Sequence, residues 1–435
     1  MFPAGYQGGD EMKNEHAQAW MLAAALAAAT LMGAPASQAQ SCLSAARTTE
    51  QATVGETEYV YDSVGHAVKA SGVLWRDIFG NAIELDGGQA ACWSGGFIDG
   101  PYHDDSVYEC SSEHCPGGVC PSPCNDFHTT AGVAPGVTAP TVVENVHIKD
   151  YGDGVSQESS ANRAPLEVRG VWLENIHDDA IENDFGASVK VIDTLIERAW
   201  IPFASRFRSG DDIDARNEVF EVRSTLVLMH IFPNTYKMRA GHGTLWKWPH
   251  TGLGPGFAVT DSVFVAEKMA EGGPLFPLVD QLVECRNNKL LWAGSLADWE
   301  DALDEADDSD GLDNRGRMEA LSHCYTVIVK PAGQSKAAFL AQHWDPLVTA
   351  WKTTHAAAGG TPGATTPTTT TTTVPSTTST SSTTTTAPRT SSTSTTTPAP
   401  PPATTSTTAP RTSTTSTTIP TPVAHAPPQQ PILLP

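Results

Sequence analysis

Apolar and polar positions alternate in short bursts through the middle of the chain, and one seven-residue version of this pattern recurs six times. It reads VVENVHI from Val142, EVRGVWL from Glu167, VIDTLIE from Val191, VRSTLVL from Val222, VTDSVFV from Val259 and CRNNKLL from Cys285. The fourth position is small or turn-prone in every copy: Asn145, Gly170, Thr194, Thr225, Ser262 and Asn288. Apolar residues follow at positions five and seven in most copies, so each copy predicts a strand, a turn and a second strand. The starts fall 25, 24, 31, 37 and 26 residues apart, the period of a repeat architecture.

A period near 25 with Val, Ile and Leu at strand positions predicts an all-β fold, specifically a right-handed parallel β-helix. Leucine-rich repeats need a stricter leucine and asparagine spacing than this. CWSGGFI from Cys92 reads as an earlier, degraded copy. The two long intervals imply insertions at 209–216 and 240–256, expected as surface loops. Helical patterning is expected only near the end. Ser335 suits the cap of one helix carrying Leu340 and Trp344, and Pro346 the first turn of another carrying Leu347 and Trp351. Residues 335–355 are therefore expected to cap the open end of the repeat, and the acidic stretch 298–313 to be a solvated loop.

Composition divides the chain into three parts. Residues 1–39 read as a signal peptide: the apolar run 19–33 is too short to span a bilayer, and small residues offer cleavage after Ala36 or Ala39. Met12, followed by Lys13, is a second candidate start. From Thr361 to residue 435 the chain is Thr, Ser, Pro and Ala without Asp, Glu or Lys, which predicts a disordered stalk with no membrane span. Residues 40–360 remain as the body of a protein expected to be secreted or at the cell surface. With the three acids and one lysine of the leader and the two arginines of the tail set aside, the body keeps 46 acids against 23 bases, which argues against nucleic acid as a partner. Eight cysteines in an exported protein favour disulfides over a zinc site. Four crowd into the loop 110–124, and Cys42, Cys92, Cys285 and Cys324 are left to pair at the two ends of the body.

IHDDAIENDFG at 176–186, PFASR at 202–206 and LWKWPH at 245–250 followed by DSVFV resemble the secreted bacterial right-handed parallel β-helix proteins of the pectate-lyase-like superfamily. The resemblance covers roughly residues 60–330. It implies a polysaccharide as partner and admits lyases, hydrolases, depolymerases and noncatalytic surface proteins.

Repeats stacked in register place equivalent residues about 4.8 Å apart. Counted fifteen residues from the starts, one column reads Gln157, Glu182, Arg206 and Lys237; two residues further on, Ser159, Asp184, Arg208 and Arg239 form its neighbour. Asp153, Asp178 and Asp179 crowd the preceding turn, beside His177. This predicts a groove for an acidic glycan. Asp153, Asp178, Glu182 and Asp184 would hold calcium, and Arg208, Arg239 and His177 would bind substrate. Arg206 or Lys237 would remove the sugar C5 proton in a lyase; the resemblance implies an arginine in that role. An inverting glycoside hydrolase would instead use Asp178 and Asp179 as its paired acids. Gly241, His242 and Gly243 resemble a polygalacturonase motif, but the basic residues precede it rather than follow. Trp246 and Trp248 share one side of a strand, as a sugar platform if outward and as core if inward. The noncatalytic alternative is an adhesin or structural protein whose charged columns are ion pairs between strands.

Overall fold

The computed structural model describes short strands at 48–51, 59–62, 66–69, 74–76, 108–109 and 124–125, with residues 42, 81–86, 90–103, 130–136, 139–157, 163–205, 207, 213–231, 243–249, 252–269, 273–307 and 311–355. All belong to one of two units, residues 1–368. The leader expected at 1–39, the side chains of the loop 110–124 and the stalk expected at 361–435 lie outside the described residues.

The molecule is strand-rich, and its two main sheets are parallel throughout the described pairings. Each sequence repeat is divided between them. Its first half enters a nine-stranded sheet, as in Thr141–Glu144, Leu166–Arg169, Val189–Ile192, Val219–Arg223, Gly256–Thr260 and Leu282–Arg286. Its second half enters a fourteen-stranded sheet, as in His147–Lys149, Trp172–Glu182, Leu195–Ala204, Leu226–Met229, Val263–Ala266 and Asn288–Trp292. Register aligns Val143, Val168, Val191, Val222 and Val259 in one column and Ile148, Leu173, Ile196, Val227, Phe264 and Leu290 in another. Every one of these is buried. Burying a side chain of this size contributes about 1.5–3 kcal/mol, so stacked repeats stabilise what one repeat alone cannot.

The repeat turns on a left-handed residue. Asn145, Gly170, Asp193, Ser224, Asp261 and Asn287 all have φ between 49° and 58°. This corrects the alignment read from sequence: Glu167 pairs with Lys190, not Val191, so the last four copies begin one residue earlier than their pattern suggests. The residues that follow in those copies, Thr194, Thr225, Ser262 and Asn288, form a buried polar ladder inside the turn. Ser262 Oγ accepts from Thr225 N at 3.1 Å and donates to the Thr260 carbonyl at 2.9 Å, and Asn288 Nδ2 donates to the Val259 carbonyl at 2.8 Å. The polar groups at this corner are thus met from within. The Cys92 copy is in register with Val142, as expected. Cys42 pairs with Cys92 and Cys285 with Cys324.

Three expectations are corrected. Within the second insertion the described segment Thr244–Trp248 is not surface loop: it is buried, and Trp246–Lys247 adds a strand beside Phe203–Ala204. The acidic stretch is not a loop throughout, because Ser295 and Asp298 form a reciprocal capping box that starts α1 (Leu296–Asp304), and Asp313 caps α2 (Asn314–Ala320). Helices α3 (Lys336–His343) and α4 (Asp345–Thr354) do form where expected, with Ser335 capping α3 and Pro346 in the first turn of α4. They do not close a sheet end. They lie across the outer face of the large sheet, packed on Leu195, Leu226, Val263, Val265, Leu291 and Ala293.

Candidate carboxylate and lysine site

Four neighbouring strands of the large sheet build the site: Asp153–Ser156, Trp172–Glu182, Leu195–Ala204 and Trp246–Lys247. Val155, Ile181, Phe203 and Trp246 align as one core column. The next residue on each strand gives a second column of Ser156, Glu182, Ala204 and Lys247. Alternation puts that column on the opposite side from the core. Glu182 and Lys247 stand two strands apart with the small Ala204 between them, roughly 10 Å between backbones.

An extra residue in the strand Trp172–Glu182 completes the constellation. Ile176 pairs with Ala199 but Asp179 with Ile201, so the chain bulges at His177 and Asp178, which re-aims the side chains around it. The Asp179 N–H then donates to Asp153 Oδ1 at 3.0 Å, and Lys247 Nζ donates to Asp179 Oδ2 at 2.6 Å. Ser156 Oγ donates to Glu182 Oε2 at 2.5 Å. One carboxylate oxygen from each of Asp153, Asp179 and Glu182 lies within 4.8 Å of the others. Asp179 Oδ1 is buried and accepts no hydrogen bond.

Among the described residues, Asp178 and Asp184 add their fields to those three carboxylates, and the buried ammonium of Lys247 lies among them. Burial, followed by repulsion from Glu182, Asp178 and Asp179, pushes the Asp153 carboxyl well above the ordinary range. Burial raises Asp179 also, against the pull of Lys247. Glu182, pushed to about 8 by burial and then by Asp184, is partly exposed, whereas Asp153 and Asp179 are buried. Lys247, despite its burial, is held charged by Asp179, Asp178 and Glu182. At neutral pH such a cluster retains protons or exchanges them for a cation of higher charge. Three carboxylate oxygens and a hydroxyl suit a hard, oxygen-seeking ion such as calcium.

The structure redistributes the residues expected from sequence. Asp153 and Glu182 meet as anticipated, but the third closely placed carboxylate is Asp179, with Asp178 and Asp184 acting as charged neighbours. His177 is fully buried and turned elsewhere, its Nε2 2.8 Å from the Tyr102 carbonyl, so it faces no substrate groove. Trp246 and Trp248 are buried among Phe203, Phe220 and Phe257, which makes them core and removes them as a sugar platform. Glu182 is flanked by Ser156 and Ala204 and not by Gln157 and Arg206, because the bulge at His177 and Asp178 adds one residue before Glu182 and the later copies begin one residue earlier. Arg206, Arg208, Lys237 and Arg239 lie outside the described residues.

Lys247 was missed, although its signal was present. If Trp246 and Trp248 point into the core, the residue between them must point away from it. A second group, Asp99, His103 and Asp150, is centred on the buried Asp150, which accepts from Lys149 and Asn175 and lies 2.8 Å from His103 Nδ1. Among the described residues no helix is long and apolar enough to cross a membrane. Comparison with known proteins finds no matching family model, no matching curated protein and no matching solved structure.

Proposed function

We propose that this chain is a secreted right-handed parallel β-helix protein that engages an acidic polysaccharide, with the Glu182 cluster as its chemical centre and a lyase as its specific activity. The alternation of repeat halves between two parallel sheets supports the winding. One observation carries the functional reading: the carboxyl of a half-buried glutamate, pushed to about 8, in a carboxylate cluster that also holds Lys247.

In this reading Glu182 serves in one of two states. Protonated, it presents an acid O–H to a glycosidic or carboxylate oxygen of the sugar. Were calcium to bind, Glu182, Asp153 and Asp179 would hold it, and it would supply positive charge for uronate carboxylates. Lys247 orients Asp179 through its hydrogen bond, and Ser156 fixes the Glu182 carboxyl. Arg206 and Lys237 remain the candidates for the base.

The noncatalytic alternative, an adhesin or structural protein, is favoured by the burial of Asp153, Asp179 and Lys247, which suits a structural polar knot. Calorimetric titration of the full-length protein with oligogalacturonate, with and without calcium, tests the glycan reading. Saturable binding that strengthens with calcium and is lost in Glu182→Gln supports it. Absence of binding to any uronate oligomer, in either condition, sets it aside.

A further inference from the structure

Where a strand of the large sheet is apolar on one side, that side is the core. Four strands in the second half are apolar on both. Inner positions Ile196, Val227, Phe264 and Leu290 belong to the main core, while the outer positions Leu195, Leu226 and Val263, with Leu228, Val265, Leu291 and Ile328, line up as a second apolar stripe. Nearer the amino end the column of Leu195 continues as Trp172, His147 and Phe97, whereas the column of Leu228 turns charged as Glu197, Glu174, Lys149 and Asp99. The stripe therefore narrows towards the amino end, and helices α3 and α4 lie on it.

Phe339, Trp344, Val348 and Trp351 of the two helices are buried against the stripe in a hydrophobic cluster separate from the main core. Polar contacts hold the hairpin along its length. Lys336 pairs with Glu267 near the start. Lys352 Nζ reaches Glu197 Oε2 at 2.6 Å and sits 3.9 Å over the Trp172 ring. Trp351 Nε1 donates to the Asp193 carbonyl at 3.1 Å. At the far end, His355 stacks on Trp351 and its Nε2 lies 3.1 Å from Asp193 Oδ2. The left-handed turn column shapes this seat: Asp193 supplies the carboxylate, and at Gly170, one repeat earlier, a Cβ would stand 3.4 Å from His355 Cδ2. The hairpin joins the sheet only through 330–334, a tight link in which Lys330 Nζ donates to the Gln334 carbonyl at 3.1 Å. The disulfide Cys285–Cys324 precedes it, so the hairpin carries no covalent tie of its own.

We propose that residues 335–355 form a detachable strap, docked by the apolar stripe and fastened at its outer end by a proton-sensitive catch between His355 and Asp193. Undocking exposes the stripe without opening the main core. The charged groups around the catch are Asp193, Lys352 with its partners Glu197 and Glu174, and Arg169, which is taken by Glu144 and Glu167. Burial lowers the His355 pKa, but the Asp193 hydrogen bond and charge outweigh it and the net shift is upward. The catch is therefore fully fastened below the free-histidine value of about 6.5 and loosens as pH rises through the docked value. At the other end Glu267, held at about 2 chiefly by the His230 hydrogen bond, contributes above about 4.5 and fails as pH falls towards 2. The strap is thus tightest in mild acid.

Amide hydrogen exchange of the full-length protein at pH 5.5 and 8.5, corrected for intrinsic exchange chemistry, tests this. At pH 8.5 amides of 337–354 should exchange at least about threefold faster relative to the core strand 263–266, with that strand itself unchanged. His355→Gln and Asp193→Asn should each abolish the difference between the two pH values, while Lys352→Met loosens the strap equally at both. Strap and core amides exchanging together at both pH values, or a pH dependence that survives His355→Gln, would overturn the proposal.

Discussion

At the scale of single residues, the site is governed by burial and by repulsion among its carboxylates. Glu182 is raised to about 8, so its protonated form is the one the fold prefers. A carboxyl with a raised folded pKa contributes stability that is complete below its unfolded value near 4.5 and is lost as pH rises through about 8. Glu182→Gln should therefore raise stability by under about 1 kcal/mol at pH 5 and by several-fold more, up to about 5 kcal/mol, at pH 9. Urea unfolding at the two values checks this, and equal effects at both would show that Glu182 ionises freely. Lys247→Met removes the ammonium that donates to Asp179. The loss should reach about 3 kcal/mol at pH 8 and shrink at pH 5, where Asp179 takes up the proton, and adding Asp179→Asn should recover part of it. A loss independent of pH would mean that the lysine contributes through packing alone.

Individual residues also show what the sequence could reveal. The column of turn-prone letters was legible, but two adjacent columns of small polar residues looked alike. Only the backbone angle separates Asp193, Ser224 and Asp261, which adopt φ above 0, from Thr194, Thr225 and Ser262, which form the ladder behind them. That step shifts the later strands by one residue, whereas the bulge at His177 and Asp178 moves Glu182 from beside Gln157 to beside Ser156. The bulge that brings Asp179 to Asp153 had no sequence signal, since an additional residue in a strand leaves the apolar pattern almost intact.

At the scale of elements, capping and two-sided burial decide what forms. The stretch after Asp298 is acidic enough to read as solvated chain, yet Ser295 and Asp298 satisfy each other's backbone N–H groups and start α1, whose Trp299, Ala302 and Leu303 are buried. Ser295→Ala should lower stability by about 1 kcal/mol, measured by thermal unfolding; no change would indicate that tertiary packing alone holds the helix. The helices α3 and α4 were legible from their caps and apolar spacing, whereas their seat was not. Strand segments such as LVLM and VFVA are apolar at successive positions, which a one-sided reading assigns wholly to a core. With the register known, the same letters divide into an inner set and an outer stripe.

At the scale of the whole molecule, stacking of the repeat buries the valine and isoleucine columns and lines up Ser156, Glu182, Ala204 and Lys247 across neighbouring strands. Site and scaffold are thus produced by the same register. The Cys285–Cys324 bridge closes the segment that carries α1 and α2 and ties it to the last strand of the small sheet. The measurement that bears most directly on the proposed activity is ultraviolet absorbance of the full-length protein incubated with uronic-acid polysaccharides, with and without calcium, at pH 8. The account predicts calcium-dependent appearance of unsaturated products that falls to background in Glu182→Gln. No absorbance change across the panel, with no new reducing ends, would contradict it and leave the cluster as a structural knot in a noncatalytic surface protein.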